Sequence, residues 1–280
     1  MRTIHTDLII DALEEMCIKA NLFLSEDMKC ALSKAQETEE SPLGKKILQQ
    51  LEENLKIAGS ENIPICQDTG MAVVFMEIGQ DVHIEGMNLE DAVNEGVRRG
   101  YVNGYLRKSV VEDPLDRVNT RDNTPAVVHY FIVPGDRLTM TIAPKGFGSE
   151  NMSRVFMLKP ADGEEGVMNA VMTAVQDAGP NACPPMVVGV GIGGTFEKCA
   201  LLSKLALTRE AGLHSSKPRY ARMEEELLER INATGIGPGG LGGRVTAMAV
   251  NIETYPTHIA GLPVAVNICC HVNRHVRRVL

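Results

Sequence analysis

The chain has 280 residues, which at roughly 150 residues per domain allows one large or two ordinary domains and a sizeable buried core. Its 28 basic residues against 36 acidic ones leave a net charge of −8, the wrong sign for a surface built to neutralise a phosphate backbone, so nucleic acid is not an expected partner. Hydrophobic residues at 44% and charged residues at 23% describe a folded, water-soluble body; no apolar run nears the roughly 20 residues of a membrane span, and Asp7, Glu14 and Glu15 interrupt the N-terminal stretch where a signal sequence would be apolar, so the expectation is a cytoplasmic protein with no membrane partner.

Residues 1–60 read as wholly helical: Leu8, Ile9, Leu13, Met16 and Ala20 recur at helical spacing, Ser25 starts a second helix, and Ser41-Pro42 supplies an N-cap and first-turn proline for a third that Gly59 closes. From Ile63 turns and strands alternate with helices. Ala72–Ile78 reads as a strand, and Asn88 caps a helix to about Leu106. Two β-rich segments, Pro125–Val133 and Arg137–Ala143, flank Pro134-Gly135-Asp136, a hairpin signal. Asp162 opens a helix that Gly179 ends. A short strand Met186–Val190 leads through a glycine turn to a helix from Thr195 to about Leu207. Pro218 precedes a charged helix to Ala233, Gly235–Gly243 form a glycine-rich loop, and strands Val245–Ile252 and Val264–Ile268 follow. The expected fold is a single mixed α/β domain over 1–280, with the helical region at 1–60 packed on an α/β body at 61–280 whose strands run both parallel and antiparallel.

The seven cysteines are odd in number, lack C-x-x-C spacing and belong to a reducing compartment, so a disulfide framework is not expected. Cys17, Cys30 and Cys199 fall in helical patterns and read as packing. Cys66, Cys183 and Cys270 each lie beside turn chemistry at a strand end, where ligands come from. Adjacent Cys269 and Cys270 point to opposite faces if the strand continues, so at most one faces a shared site.

Four segments carry candidate chemistry. Cys66-Gln67-Asp68-Thr69-Gly70 puts a thiol, an amide, a carboxylate and a hydroxyl on one turn before a strand; an aspartic protease would need a second such carboxylate segment, which is absent. Lys145-Gly146-Phe147-Gly148-Ser149-Glu150 exposes glycine backbone, which serves an anion or a flexible connection equally well. Asn181-Ala182-Cys183-Pro184-Pro185 precedes Gly189-x-Gly191-x-x-Gly194, a weak dinucleotide signal because Glu210, the acidic residue at the required distance, reads as a helix end. Around Thr257-His258-Ile259-Ala260-Gly261-Leu262-Pro263, His258 is a site acid, a site base or a hydrogen-bonded structural histidine. Among the arginines, Arg107 ends a helix, whereas Arg117 and Arg121 lie among acidic residues.

In this order, with Asn119-Thr120-Arg121-Asp122-Asn123 between the first and second, these segments resemble the alpha-type iron–sulfur hydro-lyases, the family of two-subunit class I fumarate hydratase and L-tartrate dehydratase. The likeness runs from about Ser41 to Arg278. It implies a [4Fe–4S] cluster on three cysteines, matched here by Cys66, Cys183 and Cys270, with Cys269 in the neighbouring non-ligand position. It implies Gln67, Arg107 and Gly146 as substrate contacts, Asp68 in or beside proton transfer, and His258 in the site. A small dicarboxylate is the implied substrate, and the Lys145–Asn151 loop resembles the fumarase form more than the tartrate form. Single-chain relatives continue into a second domain that carries further site residues, so a separate beta subunit is the expected partner. The rivals to this reading are a nucleotide-dependent oxidoreductase using Gly189–Gly194 and a noncatalytic scaffold with buried cysteines.

Overall fold

The computed structural model describes residues 2–280. In chain order, strand β1 (Arg2–His5) is followed by helices α1 (Thr6–Leu22), α2 (Glu26–Thr38) and α3 (Pro42–Glu61), then β2 (Met71–Gly79), β3 (Val82–Glu85), α4 (Leu89–Asn103), β4 (Val127–Val133) and β5 (Leu138–Lys145). A single turn, α5 (Phe147–Glu150), leads to β6 (Arg154–Leu158), α6 (Gly163–Ala178), β7 (Met186–Gly193), α7 (Phe196–Ala206) and α8 (Pro218–Asn232). Strands β8 (Ala247–Tyr255), β9 (Leu262–Cys269) and β10 (Val276–Val279) complete the chain. The mixed α/β class holds. The all-helical start does not, because Arg2–His5 pairs parallel with β3; in four residues with Ile4 alone buried, the alternation is too short to show in the sequence.

The chain divides into two compact units. One holds the chain up to Ser25 together with Leu55–Phe147 and Arg274–Leu280. Its sheet has the order β10-β5-β2-β4, with β2 antiparallel to β5 and parallel to β4. Ala72, Val74 and Met76 of β2 and Leu138, Met140 and Ile142 of β5 face a core shared with Ile9, Leu13 and Met16 of α1 and Val93, Val97 and Tyr101 of α4. Each such large side chain contributes roughly 1.5–3 kcal/mol on burial. The two helices approach closely because α4 offers glycine: a Cβ on Gly100 would sit 2.5 Å from Cys17 Cβ, and one on Gly96 2.8 Å from Leu13 Cβ. The Pro134-Gly135-Asp136 hairpin expectation fails, since β2 lies between the two strands that this turn connects. Gly79 makes that insertion feasible, as its N–H donates to the Arg137 carbonyl and a Cβ there would lie 2.4 Å from the Gly135 oxygen.

The other unit holds Glu26–Asn54 and Gly148–Asn273 around a sheet of order β6-β9-β7-β8. Alternation along β7 assigns its two faces. Met186, Val188, Val190 and Ile192 join a core with α6 and α8, while Gly189 and Gly191 lie against α7. A Cβ on Gly191 would stand 2.0 Å from the Cys199 carbonyl oxygen, and one on Gly189 2.1 Å from that of Ser203. Of the glycines expected in the turn, Gly191 and Gly193 are therefore inside β7 and only Gly194 lies between it and α7, so the dinucleotide reading loses its phosphate loop. Cys17 and Cys199 are buried as expected, but Cys30 is exposed on α2: its position in the helical pattern falls off the apolar face formed by Met28, Leu32 and Ala35.

Glu39 fastens the approach to β8. Its Oε1 accepts from the backbone N–H groups of Glu40, Ser41 and Arg244 at 2.8, 2.8 and 2.9 Å, and its Oε2 from that of Val245 at 2.7 Å. Burial by itself raises a carboxyl's affinity for its proton, yet these four donors together hold Glu39 below the usual range.

Candidate functional site

In the first unit the segment from Cys66 to Gly70 joins α3 to β2 and is clamped at every residue from Asp68 onward. Asp68 Oδ1 accepts from the Gly70 N–H at 3.0 Å and Oδ2 from the Phe147 N–H at 2.9 Å. Gly146 lies beside the same carboxylate, where a Cβ would come within 3.1 Å of Oδ2. Gly70 has φ 78° and abuts the Lys145 backbone, which a Cβ would meet at 2.7 Å, so only glycine fits there. The glycine loop and the Cys66 turn, 79 residues apart, are thus one structure.

Thr69 is buried, and its hydroxyl both accepts from the Arg107 N–H at 3.0 Å and donates to the Arg107 carbonyl at 3.1 Å. This locks the main chain of Arg107 against the turn while its side chain stays exposed. The Tyr101 hydroxyl, at the end of α4, lies 2.9 Å from the Thr69 carbonyl and 3.0 Å from that of Gly70. Asn123 is wholly buried with φ 66° and bridges the turn to the following loop, donating to the Gly70 carbonyl at 3.1 Å and accepting from the Ser109 N–H at 2.7 Å. Arg274 donates from Nη2 to the Asp68 carbonyl and from Nε to the Pro144 carbonyl at 3.4 Å. Four predicted residues therefore gather here with Cys66: Gln67, exposed; Asp68, half-buried; Arg107; and Gly146. Thr69, Tyr101, Asn123 and Arg274 hold them; Thr69 and Asn123 stand in quoted segments without an assigned holding role, and Tyr101 and Arg274 were not singled out from sequence. The signals were a polar residue within two quoted segments, a tyrosine in a chain only 4% aromatic, and an arginine four residues after Cys270.

The second unit brings together the other two predicted cysteines. Cys183 follows the 3-10 turn Gly179–Ala182 with left-handed backbone (φ 51°) and leads into β7. Cys270 directly follows β9, whose Cys269 is paired with Val187 of β7. Both thus stand at one end of the sheet, and a ring nitrogen of His271 lies 3.0 Å from the Cys183 carbonyl oxygen. The 237–243 glycine loop packs over this turn, with the Gly239 N–H donating to the Pro184 carbonyl at 2.9 Å. His258 does not join them. It is exposed in the β8–β9 connection, its Nδ1 accepting from the Ala260 N–H at 3.1 Å, and the eight residues of β9, about 26 Å of extended chain, lie between it and Cys270. The histidine at the cysteine end is His271.

Exposure separates the thiols. Cys17, Cys199 and Cys269 are buried, whereas Cys66 and Cys270 are half-buried and Cys183, like Cys30 on α2, is exposed. Burial pushes the Cys17 thiol well up, with Glu14 adding to it, and burial likewise raises Cys199, so neither is suited to act as a thiolate. Cys66, Cys183 and Cys270 have the donor chemistry and the turn positions that an iron–sulfur cluster needs. Cys66 belongs to one unit and the other two to the second, and among the described residues no group of three or more His, Cys, Asp or Glu side chains is already gathered for a metal.

A family model described as fumarate hydratase (Fumerase) matches residues 10–279. The chain belongs to the fumarate hydratase family. Within it, the putative L(+)-tartrate dehydratase subunit alpha of Methanocaldococcus jannaschii is 43% identical over 272 residues, covering 95% of each chain. The L(+)-tartrate dehydratase subunits alpha of Escherichia coli K12 and Shigella sonnei are each 34% identical over 255 residues, covering 90% of this chain and 84% of theirs. Fumarate hydratase family membership makes the chain a hydro-lyase subunit by descent. Among the described residues, no helix is long and apolar enough to cross a membrane.

Proposed function

We propose that this chain is the cytoplasmic alpha subunit of an iron–sulfur hydro-lyase that interconverts fumarate and L-malate, with Cys66, Cys183 and Cys270 as ligands of a [4Fe–4S] cluster and a separate beta subunit completing the site. The observation that carries the reading is the clamped Cys66–Gly70 turn, which presents a thiol, Gln67, Asp68, Arg107 and Gly146 together in a chain of this family. A cluster held by three cysteines supplies, when bound, an iron with an open position that acts as a Lewis acid on a hydroxyl and carboxylate of the substrate.

The chain's own residues bind and orient. Arg107 presents a guanidinium from a main chain that Thr69 fixes, which suits a bidentate grip on the carboxylate away from the iron. Gln67 offers an exposed amide to the same diacid. Asp68 is held by two N–H donors in one orientation, which suits it to position a proton donor or to take part in the transfer itself. Gly146, with no side chain beside the Asp68 carboxylate, is the proposed backbone contact for the same diacid. His258, a strand's length from Cys270, keeps its proposed place in the site on the family resemblance.

The second reading is L-tartrate dehydration to oxaloacetate, favoured by the names of the relatives at 43% and 34% identity. The Lys145–Asn151 loop favours fumarate. Assaying fumarate hydration and tartrate dehydration side by side, anaerobically and with the beta subunit present, decides between them: turnover of fumarate at least tenfold above tartrate in kcat/KM is expected, a margin worth about 1.4 kcal/mol, and the reverse preference would replace fumarate by tartrate.

A further inference from the structure

Arg274 is 4% exposed, and its three nitrogens have unequal partners. Nε and Nη2 donate to the backbone carbonyls of Pro144 and Asp68, whereas Nη1 is buried without a hydrogen-bond partner. Both acceptors are neutral backbone oxygens, and among the described residues no carboxylate oxygen is hydrogen-bonded to this guanidinium. Removing a permanent cation from water without an anion is costly, and arginine cannot relieve the cost by losing its proton. Holding two carbonyls would be served equally well by a neutral donor. The Asp68 carboxylate forms no ion pair with this guanidinium, so the unpartnered Nη1 leaves a place for an anion from outside the polypeptide.

Two anionic groups fit the function proposed above, on which this inference rests: the substrate diacid, and a cluster bound through thiolates. Burial discriminates between them, because Arg107 is exposed to an arriving substrate and Arg274 is not. The carbonyl that Arg274 grips belongs to Asp68, two residues from Cys66 and so at most about 7 Å along the chain. We infer that Arg274 is a positioning residue for the cluster, the built-in counter-cation for the anionic group that Cys66 holds. It also fixes the Asp68 carbonyl, so charge and turn geometry are set by one side chain.

The test uses the full chain loaded anaerobically with iron and sulfide, in wild-type form and as Arg274→Lys, Arg274→Gln and Arg274→Met. The reading is the rate at which iron passes to a chelator, together with the midpoint potential of the bound cluster and the thermal unfolding of the unloaded chains. Arg274→Gln and Arg274→Met are expected to lose iron about 10- to 100-fold faster, the usual cost of removing an outer partner of a metal site, with a more negative potential. Arg274→Lys keeps the charge but not the fork and is expected to stay within about threefold of wild type in iron loss, without the change in potential. Equal loss in Lys and Gln variants would show that the fork's hydrogen bonds act, not the charge, and would overturn the inference. So would wild-type iron retention in the Met variant. Should the Met variant not fold, the comparison of Lys with Gln, which retains an amide donor toward Asp68, decides alone. A wild-type chain that loads no iron would instead refute the cluster, a result distinct from either.

Discussion

At the scale of single residues, the turn at Cys66 divides its labour between side chains left exposed and atoms that hold the backbone. Arg107 shows the division most plainly, since its main chain is fixed by Thr69 while its guanidinium is exposed. Arg107→Ala removes the guanidinium without disturbing that lock. In the complete enzyme it is expected to raise KM for the diacid about 10- to 100-fold, with iron content unchanged, as befits a lost charge-assisted pair worth roughly 1.5–3 kcal/mol; an unaltered KM would exclude Arg107 from the site. The sequence made Cys66, Asp68 and Gly146 visible because each stands in a turn whose letters are unusual together. It did not reveal what Tyr101, Asn123 and Arg274 do, because their role is to donate to backbone carbonyls far away in the chain, and no local pattern records such a bond.

At the scale of elements, local chemistry was legible where a cap or a core face states it. Asn88 caps α4 by accepting from the Glu90 N–H at 2.9 Å, and Gly179 ends α6. Pairing was not legible where another part of the chain intervenes: Pro134-Gly135-Asp136 is a sound turn, but β2 comes from some sixty residues earlier to lie between its strands. The glycines of β7 misled for a related reason, since close approach by a helix and close approach by a phosphate demand the same residue. Gly191→Ala tests the helix version. With a Cβ 2.0 Å from the Cys199 carbonyl oxygen, α7 must shift, and a loss of about 3 kcal/mol or more in unfolding free energy is expected; a neutral effect in denaturant melts would contradict it.

The tie from Glu39 to the segment before β8 makes a prediction with a sign. Its folded carboxyl titrates below the ordinary carboxylate range, so the unfolded chain takes up its proton first as pH falls. Its contribution is therefore fully present above an unfolded value of about 4.3 and is lost as pH drops through the lower, folded value. Glu39→Gln, which turns one acceptor oxygen into a donor facing the Val245 N–H, is expected to cost roughly 2–3 kcal/mol near pH 7 and to flatten the fall in stability below pH 4. Thermal unfolding of both proteins from pH 3 to pH 7 checks this, and a constant difference across the range would remove the linkage.

At the scale of the whole molecule, two cores are built by different segments, and the predicted ligands are shared between them: Cys66 in one, Cys183 and Cys270 in the other. One cluster is proposed on these three thiols, leaving out Cys269, which is buried at the last paired position of β9. The most direct measurement is iron and acid-labile sulfide per chain after anaerobic purification of the wild type and of four single Cys→Ser variants. The account predicts about four iron per chain in the wild type and in Cys269→Ser, and almost none in Cys66→Ser, Cys183→Ser or Cys270→Ser; full iron in any of those three, or its loss from Cys269→Ser alone, would contradict it.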